Sequence, residues 1–207
     1  MTVQVSVLKD GTIDREPDGT ILDASSSVTL VQGGGTNIIV DTGMPHDATE
    51  ILEALHRHSL DIEDIDIVVN THCHHDHTGC NSLFGVAEVI VHIKEGAPRC
   101  ISGKSRRIEW DTELVPGVQI LLTPGHTRGS ISVAADTPEG VWVMAGDALP
   151  TMDNYIAWVP PGINYDEMVA MVSMKRVVDL AWMIVPGHGP AFDKEEDVPA
   201  TVKDLFH

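Results

Sequence analysis

The stretch VVNTHCHHDHTG, residues 68–79, contains four histidines and one aspartate between His72 and His77. In an extended chain alternate side chains share a face, so we expect His72 and His74 to point the same way. Asp76 and His77 follow where the chain can begin a helix, which would present a second pair of ligands beside the first. Imidazole nitrogens and carboxylate oxygens bind divalent transition metals. The motif therefore indicates a metal centre, and its geometry favours two ions.

Three more candidate ligands lie downstream in similar surroundings, namely His126 in TPGHT, Asp147 in AGD and His188 in PGHGP. A glycine before each ligand lets the backbone turn sharply and keeps side-chain bulk out of a crowded centre. The alternative is a solvated histidine-rich loop with unrelated structural histidines elsewhere. The recurrence of Pro-Gly-His turns after apolar strands favours metal ligation.

The chain around these residues alternates strands and helices. Patterning predicts strands at VQVSVL, SSVTLVQ, TNIIVDTG and DIVVN, and again at VQILLTP, SISVAAD, GVWVMAGD and WMIVP. Amphipathic helices are predicted at HDATEILEALHRHSL and YDEMVAMVSMKRVVDLA. Asp41, His72 and Asp147 each follow an apolar strand, and chemistry in layered α/β folds gathers where strand ends meet loops. We therefore predict one domain, residues 1–207, with one shared site.

A basic segment and an apolar loop are candidates for substrate contacts. GKSRRIEW contains a dense positive cluster of Lys104, Arg106 and Arg107, which either receives a phosphate or carboxylate or is solvated surface charge. The loop of residues 150–162 carries apolar side chains that form either a pocket wall or an ordinary hydrophobic anchor. These side chains are Met152, Tyr155, Ile156 and Trp158.

The amino-acid composition limits which kind of substrate the protein binds and in which cellular compartment it is expected. The formal net charge of −18 repels polyphosphate, so nucleic acid is disfavoured and a small-molecule substrate is preferred. The sequence has no apolar run long enough to span a membrane, and its start, MTVQVSVLKDG, lacks a basic then apolar leader. Three cysteines without a disulfide-framework spacing fit idle thiols in a reducing compartment. We predict a cytoplasmic protein without membrane contact, with oligomeric state open and a homodimer as one alternative.

THCHHDHTG, TPGHT, AGDAL and VPGHGPAF, together with the upstream IIVDTG, resemble the ordered motifs of the metallo-β-lactamase superfamily. The resemblance extends from about Val28 to Phe192. It implies an α/β (α+β) fold, a four-layer αββα sandwich with a two-metal site along one sheet edge. Asp41 would support the site from behind without touching metal. The implied ligands are His72, His74 and His126 for one metal, Asp76, His77 and His188 for the other, and Asp147 as a bridge.

The resemblance implies a metal-dependent hydrolase. Two divalent ions, zinc first with manganese or iron as alternatives, would share a hydroxide that attacks a carbonyl or phosphoryl centre. Asp76 is the expected catalytic residue, because it can orient the hydroxide as well as bind metal. The same ion pair suits thioesters, lactones, amides and phosphodiesters, so the motifs do not choose the substrate. The negative charge favours a small ester, thioester or lactone.

Three alternative functions stay open. An RNA phosphodiesterase would use the same ion pair, and a persulfide dioxygenase with one iron carries a similar THCHxDH stretch. A metal-stabilised binding module is the non-enzymatic alternative. His188 in VPGHGP favours a second metal, and three-histidine ligation leaves a coordination position open, as catalysis requires.

Overall fold

The computed structural model describes residues 2–96 and 103–194. In these ranges the strands are β1 (Gln4–Lys9), β2 (Thr12–Arg15), β3 (Ile21–Ser25), β4 (Val28–Gly33), β5 (Thr36–Val40), β6 (Ile67–Val69), β7 (Glu88–His92), β8 (Ser105–Ile108), β9 (Thr112–Val115), β10 (Val118–Leu122), β11 (Ile131–Thr137), β12 (Gly140–Gly146), β13 (Met183–Pro186) and β14 (Phe192–Asp193). The helices are α1 (Ala48–Arg57), α2 (His75–Thr78), α3 (Met152–Ala157) and α4 (Glu167–Leu180).

The strands form two six-stranded sheets and one hairpin. The first sheet has the order β1-β4-β5-β6-β7-β8, and the second has the order β14-β13-β12-β11-β10-β9. In the first sheet β5, β6, β7 and β8 run parallel, so each connection must cross over, and α1 provides the crossover from β5 to β6. In the second sheet only β12 and β13 pair in parallel among the described strands. Strands β2 and β3 form the separate hairpin.

Along a single strand, successive side chains pack into different layers of the fold. On β4, Leu30 belongs to the same buried cluster as Leu55 of α1, whereas its neighbour Val31 belongs to the cluster between the sheets with Ile120 of β10. Successive side chains of a strand point to opposite faces, so an apolar strand buried on both faces must be covered by a layer on each side. Burying one such side chain contributes roughly 1.5–3 kcal/mol.

The second sheet is covered in the same way by α4. Val143 of β12 shares a buried cluster with Met174 and Val177 of α4, whereas the next residue, Met144, faces the first sheet. Helix α4 begins where the Asp166 carboxylate accepts a hydrogen bond from the Val169 amide. The order of layers is therefore helix, sheet, sheet, helix, which confirms the predicted αββα sandwich.

Each predicted apolar strand and both predicted long helices lie where the sequence pattern indicates, within a few residues. The helix expected to begin at Asp76 is one short turn, α2, followed by a 3-10 turn at Asn81–Leu83. The pattern did not predict the β2–β3 hairpin, strands β7, β8, β9 and β14, or α3. Among the described residues, no helix is long and apolar enough to cross a membrane.

Candidate metal centre

The candidate ligands follow the carboxyl ends of strands from both sheets. His72 comes after β6 of the first sheet, and His126, Asp147 and His188 come after β10, β12 and β13 of the second. The loops at these strand ends meet at one edge of the sandwich. There, three groups of side chains bring one ligand atom each to within 4.8 Å of one another. The groups are His72, His74 and His126; His72, His77 and Asp147; and Asp76, His77 and His188.

Three imidazoles form the first cluster, which consists of His72, His74 and His126. Their ring centroids lie 4.5 Å apart for His72 and His74, and 4.7 Å apart for each of the other two pairs. The Nδ1 of His126 donates to the Ile163 carbonyl over 2.7 Å, which directs Nε2 into the cluster. That Nε2 lies 2.9 Å from Nδ1 of His74. Three ring nitrogens thus converge, as three-histidine ligation requires.

Asp76, His77 and His188 form the second cluster. Each histidine is oriented by a hydrogen bond on its outer nitrogen: His77 Nδ1 donates to Asp41 Oδ2 over 2.7 Å, and His188 Nδ1 donates to the Ser25 carbonyl over 3.1 Å. Their Nε2 atoms lie 3.9 Å and 3.6 Å from Asp76 Oδ2. Fixing the outer nitrogen sets the tautomer and leaves the inner nitrogen available as a ligand.

Asp147 lies between the two clusters. Its Oδ2 is 3.4 Å from Nε2 of His126, and its Oδ1 is 3.4 Å from Nε2 of His77 and 3.3 Å from Nε2 of His188. The predicted tight turn before His188 leaves room for this carboxylate, because a Cβ on Gly187 would lie 2.2 Å from Asp147 Oδ1. One carboxylate therefore faces both clusters.

The donor atoms of the site fit divalent cations. His72 Nε2, His77 Nε2 and Asp147 Oδ1 are buried, and no atom of the described residues forms a hydrogen bond with them. A buried polar atom without a partner costs about 1–3 kcal/mol, and such atoms in native proteins call for an explanation. Cations held between convergent imidazole nitrogens and a carboxylate would satisfy all three atoms. Nitrogen and oxygen donors of this mixture suit zinc, and also manganese or iron.

Burial and charge set the protonation of the two clusters differently. Burial, reinforced by neighbouring histidines, lowers the pKa of His72 well below its usual value of 6.5 and lowers the pKa of His74 as well. Burial also opposes the charged form of His77, but the Asp41 and Asp147 carboxylates outweigh it and raise the pKa of His77 well above 6.5. In the same way Asp147 raises the pKa of His188 despite burial. Without metal, a proton is therefore held more tightly in the second cluster than in the first.

Asp41 lies directly behind the second cluster. Its side chain is buried, and Oδ1 accepts from the Thr71 amide over 2.7 Å while Oδ2 accepts from the Thr71 hydroxyl and from His77. The backbone of Asp41 has φ of 56°, in the left-handed region that aspartate tolerates better than most residues. Asp41 thus connects the end of β5 to the turn that carries His72 and orients His77, without belonging to the clusters.

Glu95 is a site residue that the sequence pattern did not single out. It is 6% exposed, its Oε2 accepts from the Cys73 amide over 2.8 Å, and its Oε1 accepts from the Thr127 hydroxyl. Glu95 follows β7, so the rule that selected Asp41 and Asp147, an acid shortly after an apolar strand, also applies to it. The signal is weak because no other candidate ligand lies beside it in sequence.

The basic cluster lies on edge strand β8 and its approach. Arg106 Nε is 3.3 Å from Glu88 Oε2, and Lys104 and Arg107 are exposed. None of the three belongs to the metal clusters. The basic cluster is therefore solvated surface charge, the second of the two alternatives.

Of the cysteines, Cys80 is free and buried, whereas Cys73 is disulfide-bonded, so the expectation of idle thiols is wrong for Cys73. Cys100 lies outside the described residues.

The four apolar side chains singled out in residues 150–162 pack into the core and anchor α3. Tyr155 is buried, with its ring centroid 5.7 Å from that of Phe192. Met152, Ile156 and Trp158 pack against the same cluster below the second sheet. The hydrophobic-anchor alternative is therefore the one that the structure supports.

A groove of about 790 Å³ lies between the β2–β3 hairpin and the segment that follows Asp147. None of the candidate ligands lines the groove, but two of its wall residues directly follow groups that hydrogen-bond the ligands. Asn164 follows Ile163, whose carbonyl accepts from His126, and Thr151 follows Pro150, whose carbonyl accepts from the His188 amide. Six of its lining residues are Ile13, Arg15, Thr151, Asn154, Pro161 and Asn164. The groove offers a mixed apolar and polar surface beside the clusters.

An αββα sandwich with two histidine clusters sharing a carboxylate at one edge defines a class of metalloproteins, and comparison with known proteins identifies the family. The model of the metallo-beta-lactamase superfamily matches residues 22–188. The chain belongs to that superfamily, which confirms the resemblance read from its motifs.

Individual relatives match over most of their length. The chain is 35% identical to "Probable metallo-hydrolase MJ0296" of Methanocaldococcus jannaschii, covering 94% of this chain and 91% of the relative. It is 30% identical to metallo-beta-lactamase domain-containing protein 1 of Xenopus laevis, covering 91% and 80%. Among solved structures, an N-acyl homoserine lactone hydrolase with the product N-hexanoyl-L-homoserine bound at its catalytic metal centre has a TM-score of 0.72 at 25% identity, covering 90% and 92%.

Proposed function

We propose that the protein is a dinuclear metal-dependent hydrolase of a small ester, thioester or lactone. The observation that carries the proposal is the position of Asp147, whose two carboxylate oxygens face different histidine clusters. His72, His74 and His126 would hold one cation, and Asp76, His77 and His188 the other. Because ligands come from both sheets, we also propose that the chain acts as one domain.

The protein groups divide the chemical work. When bound, two divalent cations, zinc first, would supply Lewis acidity and make water nucleophilic at neutral pH. Asp147 would offset their charge from the buried side of the site, where it is 7% exposed. Asp76 is 23% exposed and His74 is exposed, so the open side of the clusters lies at these residues. There Asp76 would orient the attacking water and accept its proton.

The groove favours a small substrate without a large negative charge. Asp153 and Glu167 line it together with the single cation of Arg15, and the chain as a whole carries a formal charge of −18. An RNA strand would meet long-range repulsion here, whereas a neutral lactone or ester would not. Ile13 and Pro161 offer apolar surface to an acyl or alkyl group. The product bound to the lactone hydrolase described above is a small molecule of this kind.

A substrate panel tests the proposal. The zinc-loaded protein is assayed with lactones of several acyl lengths, alkyl and aryl esters, thioesters, phosphodiesters and single-stranded RNA, with the Asp147→Ala variant as a background control. We expect turnover of the lactones or esters, and its loss in the variant. Turnover of RNA alone would replace the proposal by a phosphodiesterase. A separate assay uses the protein as purified, where one iron per chain with oxygen consumption on glutathione persulfide would replace the proposal by a dioxygenase.

A further inference from the structure

We infer that Glu95 is the positioning residue that aligns the first cluster for its cation. The inference rests on the proposed metal centre. The side chain of Glu95 hydrogen-bonds Cys73 and Thr127, which directly neighbour the ligands of the first cluster in the chain. Its effect should therefore fall on one metal site and spare the other.

The contacts of Glu95 join two separate loops. Oε2 accepts from the backbone amide of Cys73, which lies between His72 and His74 in the chain. Oε1 accepts from the hydroxyl of Thr127, the residue after His126. The loops that supply all three imidazoles are thus held to one carboxylate. Because ligand geometry must be fixed to within about 0.5 Å by supporting groups, a residue in this position controls how well the three nitrogens converge.

The surroundings of Glu95 are built closely around its carboxylate. A Cβ on Gly129 would lie 2.6 Å from Oε1 and 2.9 Å from Cγ, so a larger residue at that position would displace the side chain. Glu95 is 6% exposed, and its backbone amide donates to the His92 carbonyl. Burying a carboxylate costs free energy unless hydrogen bonds compensate for lost water. Here two neutral donors compensate, and both belong to ligand loops.

The second cluster has different supports. Asp41 orients His77, and the Ser25 carbonyl orients His188. Ser26 donates from its amide to the Asp76 carbonyl, and Ser27 donates from its amide to the Gly187 carbonyl. Among the described residues, the hydrogen bonds of Glu95 reach none of these groups. Asp41 reaches both clusters, because it also accepts from the Thr71 amide directly before His72. The side-chain hydrogen bonds of Glu95 instead go to the residues next to first-cluster ligands, and this difference makes the role of Glu95 measurable.

The test measures each cation site by itself. A His188→Ala background disables the second cluster, so the remaining ion reports the first, and a His74→Ala background does the reverse. Zinc affinity is measured by chelator competition, and the cobalt-substituted proteins give an absorption spectrum of the ligand geometry. Into both backgrounds we introduce Glu95→Ala, Glu95→Gln and, as a control, Glu139→Ala, which changes an exposed acid in the β11–β12 turn at the far end of β12.

We expect Glu95→Ala to weaken the first site about 10–100-fold, the usual effect of losing a group that orients ligands, and to alter its cobalt spectrum. The second site should change by less than about threefold. Glu95→Gln should rescue most of the loss, since its carbonyl accepts from Cys73 and its amide donates to the Thr127 hydroxyl, which also lies 2.8 Å from Ser130 Oγ. Glu139→Ala should change neither site.

Several outcomes would overturn the inference. Equal weakening of both sites, or an unchanged first site in Glu95→Ala, would contradict it. If Glu95→Ala does not fold, Thr127→Val removes one of the two donors and must weaken the first site selectively. A wild-type protein that binds no metal refutes the proposed function, whereas two bound ions with a silent Glu95→Ala refute only the role of Glu95.

Discussion

Replacing Gly187 by alanine should disturb the metal centre through one methyl group. A Cβ at this position would lie 2.2 Å from Asp147 Oδ1, and real Cβ contacts essentially never fall below 3.0 Å, so a displacement of about 0.8 Å is forced. Either the Asp147 carboxylate or the loop carrying His188 must move. Misplacement by about 1 Å in a catalytic site can cost 100-fold in rate. We expect Gly187→Ala to fold, to bind the second cation 10–100-fold more weakly, and to lose activity in proportion.

The assay for Gly187→Ala combines zinc content, chelator competition and turnover of the best substrate of the panel. Gly85→Ala is the matched control, because a Cβ there would meet no atom of the described residues within 4 Å. Gly187→Ala should differ from wild type and Gly85→Ala should not. A Gly187→Ala protein with two ions at wild-type affinity and full activity would refute the argument that Asp147 Oδ1 must occupy its present position.

Three further predictions follow from the structure. Asp147→Ala should abolish both cation binding and turnover, whereas Asp41→Ala should lower metal affinity or activity about 10–100-fold and still bind metal at saturating zinc. Elemental analysis and kinetics of the two variants check this. Equal effects of the two substitutions would contradict the bridging role of Asp147. The Asp41 and Asp147 carboxylates raise the pKa of His77 well above 6.5 in the metal-free protein, so a proton on this imidazole competes with the metal and second-site affinity should rise as the pH increases above 6.5. His72 has a lowered pKa, so the first site should depend less on pH. Metal titrations in the two single-cluster backgrounds check this, and pH-independent binding at the second site would contradict it. Leu55→Ala on α1 should lower the free energy of unfolding by about 2–5 kcal/mol in denaturant melts without changing metal stoichiometry, and a loss below about 1 kcal/mol would show that α1 is not part of the core.

The parts of the fold that follow from local pattern could be predicted from the sequence. Strands such as Val28–Gly33 and Thr36–Val40 are apolar on both faces, and their order around two amphipathic helices leads to a layered architecture. Strand β8 was missed because SRRI is polar and gains its place only by pairing with β7. The β2–β3 hairpin was missed for the same reason, since TIDR and ILDAS are mostly exposed.

In the candidate site too, residues marked by local sequence pattern could be predicted, and residues defined by tertiary contacts could not. His72, His74, Asp76 and His77 could be proposed as ligands because they are close in sequence and of metal-binding types. Glu95 could not, since its importance depends on meeting Cys73 and Thr127, which are 22 and 32 residues away along the chain. Supporting residues are defined by tertiary contacts, and a single sequence carries only a faint trace of them.

The measurement that tests the central claim most directly is the metal content of the purified chain and of two variants, His77→Ala and His188→Ala. The ligand arrangement around Asp147 predicts two divalent ions per wild-type chain and one in each variant, because each substitution removes a ligand of the second cluster only. A wild-type content fixed at one ion per chain, unchanged in both variants, would contradict the dinuclear centre.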